Sequence, residues 1–354
     1  MRKKVKISDI ARACGVSLST VSFVLNDKPG VSSETRARVL EVAAKLGYPL
    51  RTTAGQGKSN HLLASVGMIV KIDPDIAPQA NPFYSKVILG IEDACRRKRI
   101  NLLFASLPVD ENNHPVEIPQ LLYSDIADGL LMLGAFMDQT ITSISGERLP
   151  PIVLVDGYSD TESFDTVVSD NFRAAYQAVE YLIRKGHRYV GLVGSHECCF
   201  PSLMERRNGY LRAMKENQLD EVFISNFNLT KSKGYQETID LLQEHSQLTA
   251  LFCINDDVAS AAIRAVNALG KQVPEDVSIV GYDDTYIATN THPPLTTMHV
   301  DTVAMGRAAM NLLSLRLENP ESARMTLIIH PTLVERESVS LGPSYSAEKA
   351  SSIP

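Results

Sequence analysis

The sequence predicts a small all-α head followed by a large α/β body of two lobes, each built as a doubly wound parallel sheet. Three observations carry this expectation. The 354 residues exceed what one ordinary hydrophobic core serves. Residues 7–46 hold only helix-patterned segments. From residue 64 onward, short apolar runs alternate with helical patterns, as parallel strands covered on both faces require. The expected boundaries are 1–47 for the head, 48–61 for a linker, 62–342 for the bilobal body and 343–354 for a loose tail.

In the head, ISDIARACGVSLSTVSFVLN (7–26) divides into two short helices around a tight turn. Ser8 and Asp9 open the first and Gly15 breaks it, in the left-handed conformation that glycine adopts without steric cost. Ser17 supplies an N-cap oxygen for the second, which places Val21, Val24 and Leu25 opposite Ile10 and Ala11. Ala11 is small where the helices cross, and Val21 fills the angle between them. Together these positions spell a helix-turn-helix. A third helix opens at Ser32, carries Thr35, Val39, Val42, Ala43 and Leu46 as one buried stripe, and closes at Gly47. The second helix is the one suited to a major groove, with Leu18, Ser19 and Phe23 facing outward. The plainer alternative is that Leu18 and Phe23 belong to the core.

Charge is segregated along the chain. Residues 1–58 hold eleven Lys/Arg against four Asp/Glu, a net of +7 within a chain total of −6, which leaves −13 for residues 59–354. A basic head on an acidic body places a polyanionic partner at the head alone. The five cysteines, Cys14, Cys95, Cys198, Cys199 and Cys253, form no C-x-x-C pair. Reduced thiols are the expectation; Cys198 and Cys199 beside His196 form an ordinary loop or, as the minor alternative, a metal or redox site. No apolar run reaches the roughly 18 residues of a membrane span, and the basic N-terminus has no apolar h-region. A cytoplasmic protein with no membrane partner follows as the expectation.

In the body the strand-like runs are ASVGMIVKI, NLLFAS, DGLLML, PIVLVD, TVVSDN, YVGLVG, ALFCIN and VSIVGYD. So many strands divide more naturally into two lobes than into one sheet. There is no G-x-G-x-x-G after a strand, no P-loop, no G-x-S-x-G and no H-E-x-x-H, so catalysis is the lesser expectation and no cofactor or metal is expected. Ligands of open α/β lobes sit at the carboxyl ends of strands. Polar residues there are Asn81 with Phe83 and Tyr84, then Asp156, Ser202, Arg206, Asn255, Asp256 and Asp283. Each has a plainer use: Asn255 and Asp256 as helix caps, Arg206 in a surface ion pair, Phe83 and Tyr84 as core aromatics.

The run I-S-D-I-A-R-A-C-G-V-S-L-S-T-V-S-F-V-L-N, followed by V-S-S-E-T-R-A-R-V and L-G-Y, resembles the head of the lactose-repressor-like (LacI/GalR) family. The resemblance extends through the body. It implies a repressor that grips a pseudo-palindromic operator in double-stranded DNA as a homodimer; the tail lacks the leucine heptad a tetramer would need. The DNA-contacting residues it implies are Lys6, Ser8, Ser17, Leu18, Ser19, Thr20, Ser22, Phe23, Asn26, Ser32, Thr35, Arg36, Tyr48, Arg51 and Ala54. It implies a body like the type I periplasmic sugar-binding proteins, two lobes joined by three crossovers, with a small effector in the cleft. Phe83, Tyr84, Asp156, Ser202, Arg206, Leu229, Asn255 and Asp283 would hold that effector, and the set suits a sugar. The linker departs from the family: Ala54 matches the hinge alanine, but Gly57 stands where a minor-groove wedge leucine is expected, and Gly55 and Gly57 disfavour helix. The rival reading is a sugar-handling enzyme or solute-binding protein with an appended head.

Overall fold

The computed structural model describes residues 6–25, 30–46, 48, 63–73, 82–123, 125–136, 138–144, 149–159, 164–197, 199–226 and 231–343. The chain forms two compact units, Met1–Asn60 and His61–Pro354. The first contains α1 (Ile7–Cys14), α2 (Leu18–Leu25) and α3 (Ser33–Leu46). Gly15 takes φ 64° at the end of α1, as the turn demands. Ser17 Oγ accepts from Thr20 N at 3.0 Å and caps α2; Ser32 Oγ accepts from Thr35 N at 3.3 Å and caps α3. Ile10, Ala11, Cys14, Val21, Val24, Val39 and Ala43 form the shared core. The expected α3 stripe is shorter than its spacing suggested. Leu46 is exposed and Val42 half-buried. Tyr48, expected in the linker, packs instead on this core and donates its N–H to Ala43 O.

Among the described residues the second unit holds two six-stranded sheets. In chain order the first lobe begins with β1 (Ser65–Ile72), α4 (Pro82–Lys98), β2 (Asn101–Pro108), β3 (Gly129–Leu133), α5 (Asp138–Ile144), β4 (Ile152–Val155) and β5 (Asp165–Ser169). The second comprises α6 (Asn171–Arg184), β6 (Val190–Val193), α7 (Pro201–Glu216), β7 (Phe223–Ser225), α8 (Lys231–Glu244), β8 (Ala250–Cys253), α9 (Asp256–Ala268), β9 (Ser278–Asp283), α10 (Tyr286–Asn290) and β10 (Thr296–His299). Then α11 (Thr302–Glu318) and β11 (Thr326–Ile329) return to the first lobe, and β12 (Thr332–Val334) to the second. The sheet orders are β11-β5-β4-β3-β1-β2 and β12-β10-β9-β8-β6-β7.

All neighbours in the first sheet are parallel. The second departs from the expected all-parallel sheet, since β12 runs antiparallel to β10. It reaches that edge from the third crossover, through a connection too short to reverse direction again. The three crossovers are β5 to α6, β10 to α11, and β11 to β12. The return of α11 is fixed by close packing and charge. A Cβ on Gly90 of α4 would strike Val303 O, and one on Gly306 of α11 would strike Val87 O. Arg316 of α11 pairs through Nε and Nη2 with the fully buried Asp165 of β5, at 2.6 and 2.9 Å. Strands β3, β4, β5, β6 and β8 are buried throughout, whereas NLLFAS, read as an interior strand, is the edge strand β2 and exposes Phe104.

Candidate functional site

Two separate surfaces carry the sequence-derived site residues. On the head, α2 exposes Leu18 at 58% and Phe23 at 42%, so neither belongs to the core. Ser19 is exposed beside them. Ser17 is occupied as a cap, and its hydroxyl lies 2.7 Å from Ser19 Oγ and 2.8 Å from Thr20 Oγ1, which holds the N-terminal turn of α2 in one arrangement. Replacing Ser17 by Ala is expected to cost the head about 1 kcal/mol, read as a lower urea midpoint of its helical signal. Lys6 and Ser8 are exposed at the start of α1, where Lys6 N–H donates to Asp9 Oδ2 at 2.9 Å. Ser22, Thr35 and Arg36 are half-buried, and Ser32 is exposed. Asn26, Arg51, Ala54, Gly55 and Gly57 lie outside the described residues, and with them the wedge question.

In the body the carboxyl ends of the central strands bring the other set together. Asp156 follows β4 at φ 59°, and Asp283 ends β9 at φ 101°, a strained conformation for a side chain with a Cβ. Tyr84 Oη donates to Asp156 Oδ2 at 2.7 Å. Arg206, one turn into α7, donates from Nε to Asn171 Oδ1 at 2.8 Å and from Nη1 to Ile254 O at 2.7 Å. Its guanidinium lies 3.7 Å from the centre of the Tyr282 ring, and its Nη2 lies 3.3 Å from Asp283 Oδ1. That approach is out of line for a hydrogen bond. Among the described residues, Asp156 Oδ1 and Asp283 Oδ1 are therefore buried acceptors with no hydrogen-bond partner.

The remaining predicted residues divide. Ser202 is buried in the first turn of α7. Phe83 is a core residue, edge-on to Tyr84 at 5.2 Å, as its plainer reading had it. Asn255 caps α9 by accepting from Val258 N at 2.9 Å. Asp256 is structural: its carboxylate accepts from Thr285 N, Thr285 Oγ1 and Thr297 Oγ1. Arg206, far from forming a surface pair, is 5% exposed. Leu229, Asn81 and Cys198 lie outside the described residues, and among those described no three His, Cys, Asp or Glu side chains could hold a metal ion.

The structure adds groups that the strand-end reading missed. Lys71, at the end of β1, donates to Ala135 O at 2.7 Å, pairs with Asp73 at 2.9 Å and lies 4.0 Å from the centre of the Phe200 ring in the other lobe. Its signal was a lone cation closing the apolar run ASVGMIVKI. Tyr158 Oη reaches across to Glu205 Oε2 at 2.9 Å, and Asn171 Nδ2 donates to Tyr158 Oη at 3.3 Å. These contacts close the lobes on each other.

Burial sets the ionisation of the cleft. It pushes Asp283 up to about 8 against the opposing pull of Arg206, and it raises Asp156 and Glu205. Burial also lowers Lys71, which Asp73 partly offsets. It works against the Arg206 charge too, but Asp283, Tyr282 and Asp156 outweigh it and hold the guanidinium protonated. Away from the cleft mouth, Asp256 is pushed up to about 6. For such acids the folded state keeps protons that the unfolded chain releases near pH 4, so the stabilisation is present at low pH and lost as pH rises through 6 and then 8. The melting temperature of the free protein is expected to fall from about pH 5 to about pH 8, each group contributing up to about 1.4 kcal/mol per pH unit. His187, lowered by burial, acts in the opposite sense near 6.5. Calorimetry of wild type against Asp283→Asn isolates the upper part of the window, and identical pH profiles for the two would refute the assignment.

The head matches the model of bacterial regulatory proteins of the lacI family over residues 6–49, and residues 179–339 match the periplasmic binding protein-like domain. The HTH-type transcriptional repressor PurR of Proteus mirabilis (strain HI4320) is 31% identical over 346 residues, spanning 95% of this chain and 97% of that protein. The chain belongs to the lacI family. Among solved structures, the transcriptional regulator CelR in complex with cellobiose aligns with TM-score 0.69 at 27% identity, covering 94% of this chain and 99% of that one. A LacI family regulator from Enterococcus faecium with bound ribose aligns at 0.66 and 27%, covering 78% and 99%. This lacI-family protein is a ligand-controlled transcriptional repressor with a DNA-binding head, and the rival enzyme reading is set aside. Among its described residues no single helix is long and apolar enough to cross a membrane; α1 and α2 pass that test only as a pair bent by 110°, which is the helix-turn-helix itself.

Proposed function

We propose that this lacI-family repressor acts in the cytoplasm as a homodimer on a pseudo-palindromic operator, controlled by a sugar-like polyol bound between its lobes. The operator is read by the N-terminal face of α2, Leu18, Ser19 and Phe23. Lys6, Ser8, Thr20, Ser22, Ser32, Thr35, Arg36 and Tyr48 then serve as positioning contacts, with Asn26, Arg51 and Ala54 from outside the described residues. Leu18 and Phe23 recognise thymine methyls and groove shape, since neither offers a hydrogen bond to a base. Tyr84, Asp156, Ser202, Arg206 and Asp283 hold the polyol, with Leu229 from outside the described residues. Phe83 supports Tyr84, and Asn255 keeps its amide for the ligand while its oxygen caps α9.

The observation that carries this reading is the pair of buried, hydrogen-bond-free oxygens Asp156 Oδ1 and Asp283 Oδ1, one from each lobe. Acceptors left unsatisfied in a closed cleft call for a ligand that brings donors to both, and hydroxyls do so while accepting from the Arg206 edge. A ligand bridging two lobes favours their closure, and that preference is what couples it to operator binding. A thermal-shift screen of neutral sugars and nucleobases on the full chain tests it, because a ligand at 100 times its Kd adds about 2.7 kcal/mol of stability. Stabilisation by sugars that Asp283→Asn removes is the expected result. Stabilisation by nucleobases alone would overturn it.

A further inference from the structure

We infer that Asn171 couples the cleft to lobe closure: its side-chain amide makes the inter-lobe bond from Tyr158 to Glu205 depend on where Arg206 sits. This rests on reading the cleft as the effector site, and deepens that reading with the route by which occupancy is relayed. Asn171 is fully buried and is the first residue of α6, at the first crossover between the lobes. Its neighbour Asp170 donates its N–H to Ile329 O at 2.9 Å, and Asp170 Oδ2 lies 3.1 Å from His330 Nδ1. The first and third crossovers are therefore tied together beside Asn171.

The members of the relay fix its direction. Arg206 Nε can only donate, so the Asn171 side-chain oxygen must face it, at 2.8 Å. The two hydrogens of Asn171 Nδ2 then go to Ser169 O at 3.2 Å and Tyr158 Oη at 3.3 Å. Tyr158 has one proton to give, and Glu205 Oε2 accepts it at 2.9 Å. Turned over, the amide would offer Tyr158 an oxygen that competes with Glu205 for that proton, and would leave Ser169 O without this donor. Arg206 in its seat prevents the turn.

One member belongs to the other lobe. A Cβ on Gly209 of α7 would strike Phe172 O, so α7, which carries Glu205 and Arg206, is packed directly on the start of α6. Tyr158 follows β4 and belongs to the first lobe. Opening the cleft therefore breaks the bonds to Tyr158 and keeps the bond between Arg206 and Asn171. A ligand that hydrogen-bonds the remaining edge of the guanidinium holds Arg206 in place and, through Asn171, favours the closed lobes. Asn171 is a positioning residue in this scheme and needs no contact with the ligand.

The test uses the full-length repressor without any sugar and reads closure at two inter-lobe contacts that share no residue with the relay. Lys71 Nζ lies 4.0 Å from the centre of the Phe200 ring, and Lys86 Nζ reaches Asp284 O at 3.4 Å. Acetylation of both lysines by an activated ester, measured by mass spectrometry against the exposed Lys215, rises with the open fraction. Tyr158→Phe and Asn171→Ala are each expected to raise both rates about tenfold, and the double variant no further than either alone. Glu205→Leu should match Tyr158→Phe, whereas Glu205→Gln, whose amide oxygen still accepts, should stay near wild type. Circular dichroism confirms that each variant folds. Unchanged rates in Tyr158→Phe or Asn171→Ala, or effects that multiply in the double variant, overturn the coupling and leave the polyol reading standing. Rates that rise as expected, with no sugar stabilising the protein in the thermal-shift screen, support the coupling and overturn the polyol reading alone.

Discussion

Val21→Asp is expected to reduce operator affinity to the non-specific level, a loss of at least about a thousandfold, while the melting of the body is unchanged. Val21 is fully buried where α1, α2 and α3 meet, in a core that among the described residues has seven buried side chains. A core of that size has neither a partner for a carboxylate nor stability to spare. The head is a compact unit of its own within Met1–Asn60, so its collapse should not propagate into the 61–354 unit. Fluorescence anisotropy on a duplex selected by the wild-type protein from random DNA measures the first effect, and calorimetry the second. Specific binding retained by the variant, or a lost body transition, would sink the prediction.

Arg206→Ala is expected to abolish the effector response and to destabilise the body by about 1–3 kcal/mol for each acceptor it strands, because it leaves Asn171 Oδ1 and Ile254 O buried without their donor. Arg206→Lys should not rescue it. An ammonium group cannot hold Asn171 Oδ1 and Ile254 O from one planar fork while lying on the Tyr282 ring. The double variant Arg206→Met with Asp283→Asn separates folding from response: filling the volume and removing both charges should recover part of the stability, with Asn171 Oδ1 and Ile254 O still unpaired, and none of the response. Urea unfolding, with operator binding measured at saturating effector, reads both. A single variant that still answers the effector would remove Arg206 from the proposed site.

Much of the fold was legible because it depends on local rules. Glycine at position 15 and serines at 17 and 32 report backbone conformation directly, and the structure has each in the role its chemistry requires. Eight apolar runs became eight strands. The four described strands that were not read, β7, β10, β11 and β12, carry threonine or lie at sheet edges, so they lack the continuous apolar run that marked the equally short β4, β6 and β8. Their membership is set by the crossovers, which nothing local encodes. The same holds for NLLFAS, whose composition suits an interior strand but whose place is at an edge.

At the cleft, the sequence by itself determined which residue types arrive at the carboxyl ends of the strands: Asp156, Asn255 and Asp283 are fixed there by where each apolar run stops, and Arg206 by the start of the helix that follows YVGLVG. Only the tertiary structure decided what each is free to do. Asn255 Oδ1 is taken by a helix cap, Arg206 is anchored from two sides, and Lys71 meets a ring from the other lobe. Hydrogen-bond satisfaction and charge balance depend on partners tens to hundreds of residues away in sequence, as with Tyr84 and Asp156 or Lys71 and Phe200. Sequence position therefore located the chemistry, and long-range pairing left Asp156 Oδ1 and Asp283 Oδ1 as the two acceptors that call for a ligand.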